Sequence, residues 1–260
     1  MVVDSHCHAS LEWYEPIETL LFEMDRNGVD AAILIQINGQ YDNAYQAECV
    51  KRYPGRFASV VMVDHAKPDA PQTLERLHAE GASGVRLAPT VRSPGDDPLA
   101  IWHTAERLGL SISCGGKAAD FATPAFAQLV EQLPRAKVVV EHLGGLSRAD
   151  DNAQREQVFK LARFPNVYMK VTGVGEFAAR AMPVKAPFPF EEPIPTFLEQ
   201  AYQAFSPARL MWGSDFPPVA SREGYGRALQ GCRDQFANKP RADLDRIFDA
   251  TARAVFPIRT

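Results

Sequence analysis

The residues that open the chain read Val2-Val3-Asp4-Ser5-His6-Cys7-His8. The two valines begin a short apolar strand, and two histidines stand where that strand ends. An open, doubly wound sheet, the main alternative architecture, places a glycine-rich phosphate loop directly after its first strand. Because side chains alternate between the two faces of a strand, His6 and His8 point to one side and Cys7 points to the other. This stretch therefore argues against the open sheet and indicates a strand end that carries polar groups.

Short apolar or β-branched runs recur along the rest of the chain. Stretches with helical periodicity separate most of them, as in Ile17-Leu20-Leu21-Met24. Strands that are apolar on both faces are typical of a parallel sheet covered by helices. Eight such units predict an α/β fold of the (β/α)8 TIM barrel type, formed as a single domain over residues 1–260 and closed by a helix over residues 244–256. The seven further strand candidates cover residues 31–37, 58–63, 84–87, 110–113, 137–140, 167–171 and 210–212.

The regular spacing is interrupted between the seventh and eighth strand candidates, which begin at residues 167 and 210. Proline is excluded from helix interiors, so this segment is not one plain helix. We expect a Pro-rich insertion at the C-terminal face of the barrel, either as a partial lid over the pocket or as a static surface loop. Its prolines are Pro183, Pro187, Pro189, Pro193 and Pro195.

Composition limits the classes of function. The chain has 28 Lys and Arg against 32 Asp and Glu, a net charge of -4, and therefore lacks the basic field that attracts nucleic acid or anionic lipid. It contains neither the pattern of a signal peptide nor an apolar run of about 18 residues. We expect a cytoplasmic protein whose partner is a small-molecule substrate, and the oligomeric state stays open. Reduced thiols are expected at Cys7, Cys49, Cys114 and Cys232, which lie far apart without a C-x-x-C pair.

Polar side chains also follow two later strand candidates. His142 comes after the sixth run and Asp215 after the eighth. In a (β/α)8 barrel, residues at the C-terminal ends of the strands line the active site. We therefore expect His6, His8, His142 and Asp215 to converge on one point. Imidazoles in such a cluster either bind a metal ion or donate hydrogen bonds to a carbonyl.

Five sequence blocks occur in order along the chain: DSHCH at 4–8, SGVRL at 83–87, VEHLGG at 140–145, NVYMK at 166–170 and MWGSDFP at 211–217. Together they resemble the amidohydrolase superfamily. The resemblance is strongest to its amidohydrolase-2 branch, which contains 2-pyrone-4,6-dicarboxylate lactonase and related sugar and muconolactone lactonases. Residues 247–256 are similar to the C-terminal helix of that family.

The resemblance implies roles for the four converging residues. In metal-using relatives they bind a divalent ion, whereas in the lactonase type the histidines hold the substrate carbonyl and no metal is needed. A two-metal site is not expected, because the fifth strand candidate ends without a bridging lysine or histidine and the seventh ends without a histidine. One Zn²⁺ or Mn²⁺ ion, or none, remains. In either case Asp215 is the base that activates water, and His6, His8 and His142 stabilise the oxyanion.

Four further side chains are candidates for binding the substrate. Arg86 interrupts an apolar strand and needs a counter-charge, which a substrate carboxylate supplies in bidentate form. The alternative for Arg86 is a salt bridge inside the barrel. Lys117 after the fifth strand and Lys170 near the end of the seventh could bind the same carboxylate, and Gln36 near the end of the second could hydrogen-bond in the pocket.

These features together predict a hydrolase of a small carboxylated or polyhydroxylated lactone. Two alternatives stay open at this point. The same residues could hold a metal ion in a decarboxylase of a small unsaturated or aromatic acid. The barrel could also bind a ligand without turning it over, since one fold supports many functions.

Overall fold

Eight parallel strands form the centre of the chain, of which a computed structural model describes residues 1–184 and 189–259. Each strand pairs with the next one along the chain, in the order β1 to β8. A parallel bridge between Cys7 and Phe216 connects the residues after β8 to β1, so the sheet curves back on itself. The predicted (β/α)8 TIM barrel is confirmed. The strands are β1 (Val3–Cys7), β2 (Ala31–Ile35), β3 (Phe57–Val61), β4 (Gly84–Leu87), β5 (Ser111–Cys114), β6 (Val138–Val140), β7 (Val167–Val171) and β8 (Leu210–Trp212).

Helices cover the outside of the sheet. Two of them end at a glycine with left-handed backbone, Gly28 at φ 66° and Gly109 at φ 70°, where a residue with a Cβ atom would be strained. None of the helices in the described ranges is both long enough and apolar enough to cross a bilayer. The helices are Ile17–Asn27, Ala44–Arg52, Ala70–Ala79, Ala100–Leu108, Ala118–Phe121, Pro124–Glu131, Asn152–Lys160, Phe197–Phe205, Tyr225–Gln235, Arg241–Asp245 and Thr251–Val255, the last two joined by the π-helical Arg246–Ala250.

The core has two layers because successive strand residues face opposite sides. In β2, Ile33 and Ile35 point into the barrel, whereas Leu34 packs outward against the helices. Val255 and Phe256 at the end of the last helix belong to the inner layer. The C-terminal segment thus closes the end of the barrel where the strands begin, and the opposite end remains open to a site.

The connection from β7 to β8 contains a 3-10 turn, Val174–Glu176, an antiparallel bridge between Arg180 and Phe190, and the helix Phe197–Phe205. Glu176 of this connection reaches the wall of the central cavity. The prolines of the predicted insertion lie between these elements, except that Pro187 is outside the described residues. Whether the segment acts as a lid stays a prediction.

Candidate active site

A cavity of about 690 Å³ lies at the C-terminal ends of the strands, and His8, His142, Asp215 and Arg86 line it. A second space of about 380 Å³ shares Arg86 and His142 with it and is also lined by Lys117. Both volumes fall in the range of small-molecule sites, about 300–1,000 Å³. The cavity therefore lies at the end of the barrel where the sequence predicts the site.

The two histidines of β1 are placed by an irregularity in that strand. The register with β2 shifts between Asp4 and Cys7, which is typical of a β-bulge. Cys7 packs into the outer layer, and His6 and His8 point inward on the other side of the strand. The buried Asp4 carboxylate accepts hydrogen bonds from the backbone N–H of His6 and Ser214, at 3.0 and 2.9 Å. Asp4 thereby connects β1 to the segment that follows β8.

His142 stands on a left-handed turn of four residues. His142, Leu143, Gly144 and Gly145 have φ values of 47°, 54°, 70° and 68°. A left-handed non-glycine residue costs about 1–2 kcal/mol, so the first two positions are strained. A Cβ atom at Gly145 would lie 2.7 Å from the carbonyl oxygen of Gly116. Such strain is concentrated at functional sites, and here it turns the His142 ring toward the cavity.

Asp215 is likewise held in a left-handed conformation, with φ 58°. Its backbone N–H donates to the carbonyl of His6 at 2.8 Å. Its Oδ2 atom accepts a hydrogen bond from Arg222 Nη1 at 2.9 Å. Burial raises the pKa of Asp215, but the neighbouring His8, His142 and Arg222 outweigh it and hold that pKa well below the ordinary value. Asp215 is therefore ionised throughout the physiological pH range.

The four side chains converge on a small volume. The Nε2 atom of His6 is 3.2 Å from the Nε2 atoms of both His8 and His142. The Oδ1 atom of Asp215 is 3.9, 3.7 and 3.8 Å from Nε2 of His6, His8 and His142. Tetrahedral bonds of about 2.0–2.1 Å separate neighbouring ligand atoms by about 3.3 Å. In spacing, His6, His8 and Asp215 could hold one metal ion.

The hydrogen-bond partners of the Nδ1 atoms fit a bound metal ion at His8 better than at His6 and His142. A metal-binding histidine normally donates its second ring N–H to a carbonyl or carboxylate oxygen. His8 does so, with Nδ1 2.7 Å from the carbonyl oxygen of Ile35. The Nδ1 atom of His6 instead faces Lys170 Nζ at 3.1 Å, and the buried Nδ1 of His142 has no partner among the described residues. The positions of the four side chains suit a metal ion, whereas the Lys170 ammonium group beside His6 Nδ1 does not.

Arg86 has its counter-charge inside the protein. Its Nη2 donates to Glu141 Oε2 at 2.8 Å, and its Nη1 donates to the carbonyl of Gln36 at 3.0 Å. The Glu141 side chain is buried and also accepts from the Ser113 hydroxyl at 2.7 Å. Burial raises the pKa of Glu141, but the charges of Arg86 and Lys170 outweigh burial and lower it to about 2. The salt bridge inside the barrel, one of the two alternatives for Arg86, is present.

The other predicted substrate contacts separate in the structure. Lys117 is exposed and lines the smaller space. The Gln36 side chain is buried in its own loop, where it donates to the carbonyl of Asp42 at 2.7 Å and accepts from the N–H of Ile37. Lys170 is fully buried beneath His6, and burial lowers its pKa to about 8. Gln36 and Lys170 therefore do not face the cavity, because both side chains are engaged in internal hydrogen bonds.

Sequence reasoning missed four residues of the site. Glu141 directly precedes His142 and could have been noticed as a carboxylate at the same strand end. Ser113 lies inside β5, one residue before its end, and no pattern in the sequence distinguishes it. Arg222 lies seven residues beyond Asp215 in an irregular loop, and its Nη1 also contacts Glu176 Oε2 at 2.7 Å. No periodicity in the sequence indicates that these last two groups meet.

A parallel barrel with paired histidines after β1, a histidine after β6 and an aspartate after β8 defines a barrel enzyme of the amidohydrolase type. The chain belongs to the Amidohydrolase family, which it matches over residues 3–258.

Known proteins are similar to the chain over most of its length. It is 24% identical to L-fucono-1,5-lactonase of Burkholderia ambifaria, over 88% of this chain and 86% of that protein. It is 25% identical to 4-sulfomuconolactone hydrolase of Rhizobium radiobacter, over 78% of this chain and 66% of that protein. The fold is shared with an amidohydrolase of Burkholderia multivorans solved with bound zinc, at a TM-score of 0.78 and 19% identity over 99% of each chain.

Proposed function

We propose that this protein hydrolyses a small lactone with a water molecule activated by Asp215. The observation that carries the proposal is the position of Asp215 Oδ1, within 3.7–3.9 Å of three histidine Nε2 atoms at the wall of the cavity. Membership of the Amidohydrolase family and similarity to two relatives named for lactone hydrolysis support it.

The first step places the substrate carbonyl oxygen against the histidines. Water attacks the carbonyl carbon, the π electrons move to the oxygen, and Asp215 takes one proton from the attacking water. The developing negative charge is stabilised by ring N–H groups of the cluster. The low pKa of Asp215 makes it a weak base, but the attacking water becomes strongly acidic as its bond to carbon forms. Arg222 keeps the carboxylate in place throughout.

In the second step the tetrahedral intermediate collapses. The carbonyl re-forms, the bond from carbon to the ring oxygen breaks, and Asp215 returns its proton to that oxygen. The products are one hydroxyl and one carboxylic acid on the same molecule, which ionises at neutral pH. The Asp215 carboxylate is regenerated without another reactant.

The charges around the cavity favour a neutral, polyhydroxylated lactone over a carboxylated one. Arg86 is neutralised by Glu141, and Arg222 by Asp215 and Glu176. An anionic group would find its cation at Lys117, at the edge of the smaller space. We therefore expect sugar lactones to be the better substrates.

We also propose that the chain acts as a single domain over residues 1–260 in the cytoplasm. All four cysteines are buried and unpaired, which is typical of proteins kept in a reducing compartment.

The test is a pH-indicator assay of acid release from a panel of sugar lactones and carboxylated lactones. Asp215→Asn should lower kcat by about 100- to 10,000-fold and leave the circular dichroism spectrum unchanged. Asp25→Asn, which removes an exposed carboxylate paired with Arg56, is the matched control and should retain activity. Full activity of Asp215→Asn would overturn the proposal, and release of carbon dioxide instead of hydrolysis would identify a decarboxylase.

A parallel series with a chelator, followed by Zn²⁺ or Mn²⁺, tests the metal requirement. Activity that survives chelation supports the hydrogen-bonding cluster. Activity that is lost and then restored by one ion indicates a metal site at His6, His8, His142 and Asp215.

A further inference from the structure

Lys170 is a charged residue in the interior of the barrel that the proposed reaction does not use. Its side chain is fully buried on β7, and the ring of Phe256 lies 5.5 Å from Nζ on the side of the C-terminal segment. Nζ is 2.7 Å from Ser113 Oγ and 3.1 Å from His6 Nδ1. Burying an ammonium group at this depth costs free energy unless its protons are accepted by hydrogen-bond partners. The groups that accept them therefore indicate what Lys170 does.

The direction of each hydrogen bond around Lys170 follows from the groups present. An ammonium group has three donors and no acceptor. The Ser113 oxygen accepts from Lys170 while its hydroxyl donates to Glu141 Oε1. The Glu141 Oε1 atom is 3.9 Å from His6 Nδ1, too far for a hydrogen bond, so the 3.1 Å contact from Lys170 is the shorter one. We infer that it is likewise a donation from Nζ, which leaves a lone pair and no proton on His6 Nδ1.

The other side of the His6 ring is compatible with the same tautomer. The Nδ1 atom of His8 lies 2.7 Å from the carbonyl oxygen of Ile35 and must donate to it, which leaves a lone pair on Nε2 of neutral His8. That Nε2 is 3.2 Å from Nε2 of His6. One proton is needed between these two nitrogens, and His6 in its Nε2–H form supplies it. Both ends of the ring therefore accommodate the proton of His6 on Nε2.

We propose that Lys170 is a positioning residue that fixes His6 as the Nε2–H tautomer. His6 then presents a hydrogen-bond donor, and not a lone pair, to the centre of the cluster. Such a donor stabilises a developing oxyanion, and it opposes a metal ion, which needs the lone pair on that nitrogen. The part that concerns catalysis rests on the proposed lactone hydrolysis, whereas the tautomer and the opposition to metal do not.

The direct test is nitrogen-15 NMR of the protein labelled at histidine. The ring patterns of the two neutral tautomers differ, and the His6 signals are assigned by their loss in His6→Gln. We expect the His6 ring to show the Nε2–H pattern and not the Nδ1–H pattern. An Nδ1–H pattern for His6 in the wild-type protein would overturn the proposal.

The second test replaces Lys170 by methionine, which has a similar length and no donor. Zn²⁺ binding to the metal-free protein is then measured by equilibrium dialysis. Affinity should rise by about 10- to 100-fold in Lys170→Met, because His6 is free to offer its lone pair. Lys160→Met removes an exposed lysine that pairs with Glu156 on an outer helix, and it should bind Zn²⁺ as the wild type does. Equal affinity in Lys170→Met and wild type would contradict the proposal.

Lactone hydrolysis assays test the catalytic part of this proposal separately from the tautomer and the metal affinity. In Lys170→Met, kcat without metal should fall by about 10- to 100-fold with little change in KM. If no lactone is hydrolysed by the wild type, the proposed function fails, while the NMR and dialysis results still decide the tautomer. If Lys170→Met does not fold, the wild-type NMR pattern alone supports or overturns the assignment.

Discussion

Replacing Glu141 by glutamine tests how strongly the buried charges hold the barrel together. Glu141 accepts from Arg86 at 2.8 Å and from Ser113 at 2.7 Å, and its side chain is 2% exposed. The glutamine has nearly the same shape but no charge. Arg86 and the fully buried Lys170 would then remain without their nearest counter-charge, which is the costly way to break a buried ion pair.

The size of the effect follows from the pKa of Glu141. Its fall from 4.5 to about 2 corresponds to about 3 kcal/mol in favour of the ionised form, at about 1.4 kcal/mol per tenfold change. Because the pKa is lowered in the folded protein, this stabilisation is present above about pH 4.5 and is lost as the pH falls toward 2. At pH 7 the variant should unfold about 6–12 °C below the wild type, at about 2–4 °C per kcal/mol for a chain of this size.

The assay is thermal unfolding followed by circular dichroism at a series of pH values from 7 to 3. The difference between wild type and Glu141→Gln should shrink as the pH falls. Glu80→Gln, which breaks an exposed ion pair with Arg76, is the control. It should cost at most about 1 kcal/mol and therefore lower the unfolding midpoint by at most about 2–4 °C. The reasoning is refuted if Glu141→Gln unfolds within 2 °C of the wild type at pH 7, or if the difference does not depend on pH.

Three other outcomes are expected. Arg222→Gln removes the cation beside Asp215, so the acid limb of kcat/KM should move to higher pH than in the wild type; an unmoved limb would contradict the pairing. Burial raises the pKa of Asp4 to about 6, so its contribution to stability is lost as the pH rises from about 4 through 6, and Asp4→Asn should abolish that slope in chemical unfolding. Fewer than one thiol should react with an aromatic disulfide reagent in the native protein, and four after denaturation, because burial protects Cys7, Cys49, Cys114 and Cys232; rapid native labelling would show that the thiols are accessible.

The sequence predicts the strands of the barrel closely because each is a short apolar run bounded by turn residues. The candidates at residues 84–87, 167–171 and 210–212 coincide with β4, β7 and β8. Strand β1 extends further than its two valines suggest, to Cys7, because buried polar residues replace apolar ones there. The alternation of side chains also predicts that Arg86 and Lys170 point into the barrel, since their neighbours pack in the outer layer.

The alternation of side chains along a strand does not show how deep in the barrel a side chain lies or which groups it contacts. Lys170 and Arg86 both point inward, but only Arg86 reaches the cavity, because β7 places Lys170 lower, beside His6 and Ser113. The contact of Arg222 with Asp215 depends on an irregular loop, whose path no local pattern specifies. These contacts join residues from different parts of the chain, so they follow from the closed barrel and not from any single segment.

The left-handed turn that carries His142 has a consequence for redesign of the enzyme. Its backbone needs glycine at Gly144 and Gly145, and the space around both residues is filled. Grafted or randomised sequences at this turn would therefore displace the His142 ring and would not simply change the substrate preference. The loop after β1 is the opposite case, because Trp13 is exposed and Tyr14 half-buried, and both line the cavity. Libraries aimed at new substrates should therefore vary the loop after β1 and leave the left-handed turn that carries His142 unchanged.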